Sequence, residues 1–470
     1  MPKSNQPSRR LWPSYVFFAA TVACLCVTSG CGYTSGTISG PPPNLVVTPS
    51  LASMPSGWTQ QFSANISGAS SAVSWAVNGT IGGSSSTGTI TTSGVYIAPQ
   101  VPPVPATVKI TAVSQTDSSL IGSVSLKVTG LFAYVTNQSD GTLSAYRVDT
   151  TGTLIPLDGS PFVTGKTPFF LVANAHKNLY VTDMNASDIY TYAIDQRSGA
   201  LTQVGLPVTV GSGPRAIAIH PSGTALYVAC TDGAGIYGFS IDATSGALTA
   251  LPGSPFRNLG LRPAAITFDP SGKYAFVPNN ASKNVSVLSV DLVTGKLTSI
   301  EAVASGTAPV WASTDASGAY LYVLSDVDDK IYAYSASNNG NLSPLANPTF
   351  PEVADPLSAT LSPNGKFLYV TNWFANVGAP FPGSTVSVFS IDPTNGNLIA
   401  IAGSPFAAGL GPTSLAFEPG GKFAFVTNEL AGTISGFSVN SSTGAMTVLP
   451  AAIAAGLAPT TIAVVATNPE

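Results

Sequence analysis

Few side chains in this sequence can do chemistry, and their types narrow what that chemistry is. Two histidines, His176 and His220, are too few for a multi-histidine copper or zinc centre. The segment "SDVDDK" (325–330) puts Asp326, Asp328 and Asp329 in one loop, a pattern that suits either a calcium ion or a solvated turn. No Gly-x-Ser-x-Gly elbow and no P-loop occurs, and no cofactor is implied. The segment "WFANVGAPFPG" (373–383) supplies Trp373, Phe374 and Phe381. Their rings could stack on a sugar or a partner, or fold back as a lid. Arg215 and Trp311 belong to a repeating series of positions that becomes visible only when the scaffold is read.

Composition points to that scaffold. Of 470 residues only 9% are charged, against roughly 25% in ordinary soluble domains. Gly (46) and Pro (38) are plentiful, and 44% of the chain is hydrophobic. This describes many short strands joined by turns rather than a disordered chain. Residues 1–30 combine a basic start (Lys3, Arg9, Arg10) with the apolar run "VFFAATVACLCV" and then "TSGC" ending in Cys31. The pattern resembles a bacterial lipoprotein signal cleaved before Cys31, whose thiol is then acylated; the alternative is an ordinary secretory signal cut nearby. Gly32 after that cysteine implies sorting to the outer membrane or cell surface. Loss of the leader leaves 15 basic against 22 acidic side chains, net −7, with no basic cluster, so nucleic acid is not an expected partner. Cys31 and Cys230 are the remaining cysteines, and with Cys31 acylated there is no pair for a disulfide.

Residues 31–44 form a Gly/Ser/Pro-rich tether. Residues 45–129 contain short alternating segments separated by Gly, Pro and Ser, as expected of a β-sandwich, with Trp75 as a core anchor. The pieces "TQQFSA", "VSWAVNG", "GTITTSGVYIAP" and "VKITAVS" resemble the bacterial Ig-like domain, group 2. That resemblance implies a spacer or adhesion module.

From residue 131 to 470 the chain repeats. Aromatic anchors stand at Tyr134, Tyr180, Tyr227, Phe276, Tyr322, Tyr369 and Phe425, spaced by 46, 47, 49, 46, 47 and 56 residues. A period of about 40–50 residues fits one four-stranded propeller blade. The fold class is therefore all-β, a seven-bladed β-propeller preceded by a sandwich. Each copy runs from a Pro-led inner strand to a "YVTN"-like strand, a third strand and a Gly-x-Leu turn into an outer strand. The carboxylates Asp149, Asp195, Asp242, Asp291 and Asp392 precede that turn and are read as turn formers. The chain enters on a "YVTN" strand and ends on an inner strand (459–467), so the last strand is expected to complete the first blade. The residues after each Pro, such as Phe169–Phe170, Arg215–Ala216, Val310–Trp311 and Thr413–Ser414, then ring the channel mouth. Arg215 is the one cation in this ring, which holds no acid.

Seven copies of "YVTN"-like strands resemble the YVTN/lactonase family of seven-bladed propellers, which includes bacterial 6-phosphogluconolactonase. The family motif "GPRH…FHP.G…NEL" is split here. "GPRAIAIHPSG" (213–223) keeps Arg215 and His220 but has Ala216 in place of His; "FVTNEL" keeps Glu429, with Thr413 and Ser414 where Arg and His stand in the family. Lactone opening needs a base to activate water and a cation for the developing oxyanion. The resemblance makes Arg215 the donor and Glu429 the base. His220 is a third candidate, set against a role as a strand-end turn residue.

Two function classes emerge. The expected one is an exported cell-envelope lipoprotein, anchored to the membrane through Cys31, whose propeller binds a carbohydrate, lactone or protein partner on an Ig-like stalk. The alternative is a lactone hydrolase of the 6-phosphogluconolactonase type. A phosphorylated substrate calls for a basic pocket. The single cation of the ring places the first class ahead, or an enzyme for an uncharged lactone.

Overall fold

The computed structural model describes residues 44–467 apart from 68–71, 175–176, 233–234, 258–259, 351–352 and 374–383. The leader, the tether with Cys31, and Phe374 and Phe381 lie outside the described residues.

Residues 45–129 form three small sheets. The largest orders Ser53–Pro55, Ile121–Thr129, Thr107–Ser114, Val73–Val77 and Thr80–Ile81 side by side. Alternation along Thr107–Ser114 turns Val108, Ile110 and Ala112 inward. They meet Trp75, Phe62 and Tyr96 in one apolar core. No linker separates this module from the repeats, because Ile121–Thr129 is joined through Gly130 to Leu131–Asn137. Gly130 is clamped to the far end of the chain: its N–H donates to Thr467 Oγ1 (3.0 Å) and its carbonyl accepts from Thr467 N (2.9 Å).

The remainder is seven sheets, one per repeat, each ordered from an innermost strand outward; that strand begins with a proline except in blade 4, where it is Thr267–Phe268 and Pro263 makes an isolated bridge to Asn279. Blade 3 is representative: Pro214–Ile219, Ala225–Cys230, Gly235–Ile241 and Leu248–Ala250, all antiparallel to their neighbours. Blade 1 takes its innermost strand from the C-terminus. Pro459–Ala466 pairs with Leu131–Asn137 from Leu131↔Ala466 to Asn137↔Pro459. The ring is thereby closed and exposes no inner sheet edge.

The recurring tetrapeptide is scaffold. Strands at this position, such as Phe367–Asn372 and Phe423–Asn428, are buried at every residue because they lie between adjacent blades. The tyrosine hydroxyl reaches the turn glycine of the next blade. Tyr134 donates to Gly199 O (2.7 Å), Tyr180 to Gly246 O (2.9 Å), Tyr322 to Gly396 O (2.9 Å) and Tyr369 to Gly444 O (2.7 Å). Gly396 has φ +72°, and a Cβ there would lie 2.3 Å from the Tyr320 ring, so both turn geometry and close approach require glycine. The asparagine tightens the next hairpin. Asn372 Nδ2 donates to Thr385 Oγ1 and Ser387 Oγ, each at 2.9 Å. The turn carboxylates accept backbone N–H groups of their own loops, as Asp242 does from Thr244 and Ser245.

Candidate active site

The proline of each repeat stands at one face of the ring, at or before the start of the inner strand, and each "YVTN" strand ends at that same face. The residues following the prolines and those following the asparagine position therefore converge. They enclose a cavity of about 230 Å³ lined by Arg215, Trp311, Trp373, Glu429 and, among others, Phe170 and Ser414. Arg215 comes from blade 3 and Glu429 from blade 7, so they occupy opposite walls.

Each wall has its own supports. Glu429 follows Phe423–Asn428, and its backbone N–H donates to Gly411 O (2.7 Å). Trp373 stands at the corresponding place after Phe367–Asn372 in the neighbouring blade. Its indole Nε1 donates to Glu429 Oε2 at 2.9 Å. This fixes one carboxylate oxygen. Trp373 is held in turn by its backbone N–H to Asp355 O (3.1 Å). Arg215 is half-buried on its strand. Burial pulls its guanidinium below the ordinary value and the nearby Asp326 opposes that shift; the group stays cationic. Across the channel, Phe170 and Trp311 meet with ring centroids 5.7 Å apart, and Trp311 Nε1 donates to Ala359 O (2.9 Å). A hydroxyl belt completes the wall: Thr460 Oγ1 and Thr461 Oγ1 donate to Phe169 O, and Ser358 Oγ bonds Thr371 Oγ1 (2.9 Å).

His220 does not join this group. It follows the far end of Pro214–Ile219, five residues from Arg215, which is about 17 Å at the rise of an extended strand. It is buried, edge-on to Phe268 (5.2 Å). Its Nε2 lies 2.8 Å from Gly272 O and so carries the proton, leaving Nδ1 to accept from Ser222 Oγ (2.7 Å). A Cβ on Gly272 would strike the ring, so this histidine packs one blade against the next.

The carboxylates of the aspartate loop accept hydrogen bonds within the loop and from Asp355. Asp328 Oδ2 accepts from Ser325 Oγ (2.8 Å) and Tyr332 OH (3.1 Å), Asp329 Oδ1 from Asp355 N (2.6 Å), and Asp326 Oδ1 from Val327 N (2.7 Å). The three carboxylates are spent on separate partners, and no group of three or more His, Cys, Asp or Glu among the described residues is arranged to hold a metal. Cys230 is buried, and burial pushes its thiol up to about 12, which leaves it without thiolate character.

Sequence reasoning does not place two carboxylates beside the cavity wall, Asp326 near Arg215 and Asp355 behind Trp373. Asp326 stands four residues after its anchor, as Glu429 and Trp373 do, so the repeat register alone marks it. Asp355 precedes Pro356 in the left-handed region (φ 47°). Burial, then Asp326 and Asp329, push its carboxyl up to about 6. Nothing in the repeat announces that contact between blades.

The family model described as "Lactonase, 7-bladed beta-propeller" matches residues 104–211, 128–256, 280–392 and 384–461. A 6-phosphogluconolactonase of Formosa agariphila is 32% identical over 152 residues, which is 32% of this chain and 41% of that relative. Among solved structures, a putative 6-phosphogluconolactonase from Bacteroides uniformis superposes with TM-score 0.62 at 20% identity, covering 72% of this chain and 99% of that one. A periplasmic gluconolactonase from Pseudomonas aeruginosa gives 0.59 at 20% identity, with the same coverage. At such identities the solved structures speak for the fold alone. The expectation of a partner-binding scaffold is nevertheless corrected: the matching family and the curated relative are lactonases, which favours the hydrolase alternative. With most of its propeller matched, this chain belongs to the lactonase family of seven-bladed β-propellers.

Proposed function

We propose that the protein hydrolyses the lactone ring of a sugar acid at the channel mouth. The observation that carries this reading is the placement of Glu429, oriented by the Trp373 indole, in one cavity with Arg215. With Oε2 engaged, Oε1 is left to accept a proton from water. The water oxygen attacks the lactone carbonyl carbon, and the negative charge that develops on the carbonyl oxygen faces Arg215. The ring C–O bond then breaks, and the leaving alkoxide takes the proton from Glu429, giving the open hydroxy acid and a regenerated carboxylate. The sandwich over 45–129 is read as an Ig-like spacer and Cys31 as a lipid anchor. The reasons are the alternating strand pattern around Trp75 and the sequence of the leader. Acid release from glucono-δ-lactone above the spontaneous rate, lost in Glu429→Gln, tests the activity. A Cys31→Ser chain that still fractionates with membranes and migrates like the parent would sink the anchor.

A further inference from the structure

In and beside the cavity wall, carboxylates outnumber cationic side chains. Arg215 is the one cation lining the cavity among the described residues, and Arg262, whose charge acts on it, stands exposed just before Pro263. Against these two stand four carboxylates. Glu429 is in the wall itself. Asp326 lies close enough to Arg215 for each to bias the other's charge. Asp355 is tied to the wall through its carbonyl, which holds Trp373 N, and to Asp329 through its own N–H. Asp326 and Asp329 both act on Asp355, so the three carboxylates share one field at the rim.

We propose that the site takes an uncharged sugar lactone and rejects the same lactone carrying a phosphate. This rests on the lactone-hydrolase reading and names its substrate class. A phosphate dianion is normally met by two or more cationic donors in fork geometry. Here the one guanidinium in the wall has Asp326 beside it. A phosphate dianion at the rim adds repulsion that no contact in the cavity repays. The aromatic faces of Phe170, Trp311 and Trp373, with the hydroxyls of Ser358 and Ser414, suit the mixed apolar and hydroxylic surface of a neutral sugar ring.

The test compares kcat/KM of the full chain on glucono-δ-lactone and on 6-phosphogluconolactone, at low and high salt, and in Asp355→Asn. Asn tolerates the left-handed backbone at this position. The expected result is a preference for the uncharged lactone that narrows by on the order of tenfold with salt and with the substitution. Equal or better turnover of the phosphorylated lactone overturns this inference and leaves the hydrolase reading intact. A preference indifferent to both salt and Asp355→Asn overturns its electrostatic basis. Hydrolysis of neither lactone overturns the hydrolase reading, and this inference with it.

Discussion

Trp373 Nε1 donates to Glu429 Oε2 at 2.9 Å, binding the neighbouring walls of blades 6 and 7 into one unit. A general base works only when a lone pair is aimed at its water, and the indole N–H decides which oxygen that is. Glu429→Gln keeps the shape and removes the proposed base. Its kcat on the preferred lactone should fall about 10²–10⁴-fold. Trp373→Phe keeps the ring and removes a hydrogen bond to a charged group, worth about 1.5–3 kcal/mol, so kcat should fall roughly tenfold or more with little change in KM. A Phe variant with unchanged kcat and a raised KM would mean that Trp373 binds substrate and does not orient the base.

Arg215 makes a different demand. In the proposed hydrolysis its charge acts on the oxyanion, which exists only in the transition state and the intermediate it flanks. Arg215→Ala should therefore lower kcat by about 10²–10³, the cost of one oxyanion donor. Arg215→Lys restores charge without the planar fork and should recover part of that loss. Steady-state kinetics on both variants checks the order Arg > Lys > Ala; equal kcat in all three would remove Arg215 from the mechanism.

Arg215 and Glu429 are legible in the sequence because the family motif picks them out and the repeat supplies a coordinate system for them. Counting from each aromatic anchor brings Arg215, Trp311, Trp373 and Glu429 to one face, and the cavity lies where that count puts it. The same count marks Asp326, although its neighbours Asp328 and Asp329 make it look like part of a local Asp-rich loop. His220 shows the opposite error. It matches a motif letter, yet its place beyond the far end of a six-residue strand puts it away from the mouth. Asp355 depends on a contact between the loops of blades 5 and 6, and its neighbour Asp329 is distant enough in sequence that no local pattern reveals the pair. The packing of the N-terminal module onto the propeller is tertiary in the same sense.

Asp355 gives a pH signature. Its carboxyl is held up to about 6, from an ordinary 3.8, chiefly by burial and then by Asp326 and Asp329. Between those values the folded state binds more protons than the unfolded chain. Its contribution to stability is thus fully present below about pH 4 and is lost as pH rises through 6. Asp355→Asn abolishes this loss. The variant should match the parent at pH 4 and exceed it at pH 7.5, by at most about 1 kcal/mol since the group is only half-buried and solvent screens it. Denaturant midpoints at the two pH values check this; an advantage that is larger at pH 4 would reverse the sign and exclude the carboxylate cluster as its cause.

Trp58 joins the N-terminal module to the propeller. Its ring meets Phe423 of blade 7 edge-on at 6.2 Å and 83°, with Lys422 Nζ 5.3 Å from its centroid. It packs against the core of the sandwich and against that shared by blades 1 and 7. Its Nε1 is buried without a hydrogen-bond partner among the described residues. The ring therefore stabilises the joint while the N–H detracts from it. Trp58→Phe removes the detracting group and most of the contact survives, so stability should stay within about 1 kcal/mol of the parent. Trp58→Ala leaves a void between two cores and should cost about 2–3 kcal/mol, below the range for a fully buried tryptophan. The loss falls on the interface, so thermal unfolding should change in form as well as midpoint. The parent should unfold in one cooperative transition, and the Ala variant should release the sandwich first. Calorimetry with limited proteolysis across residues 45–129 separates the outcomes. A single, parent-like transition in the Ala variant would show that the Trp58 ring does not hold the two parts together.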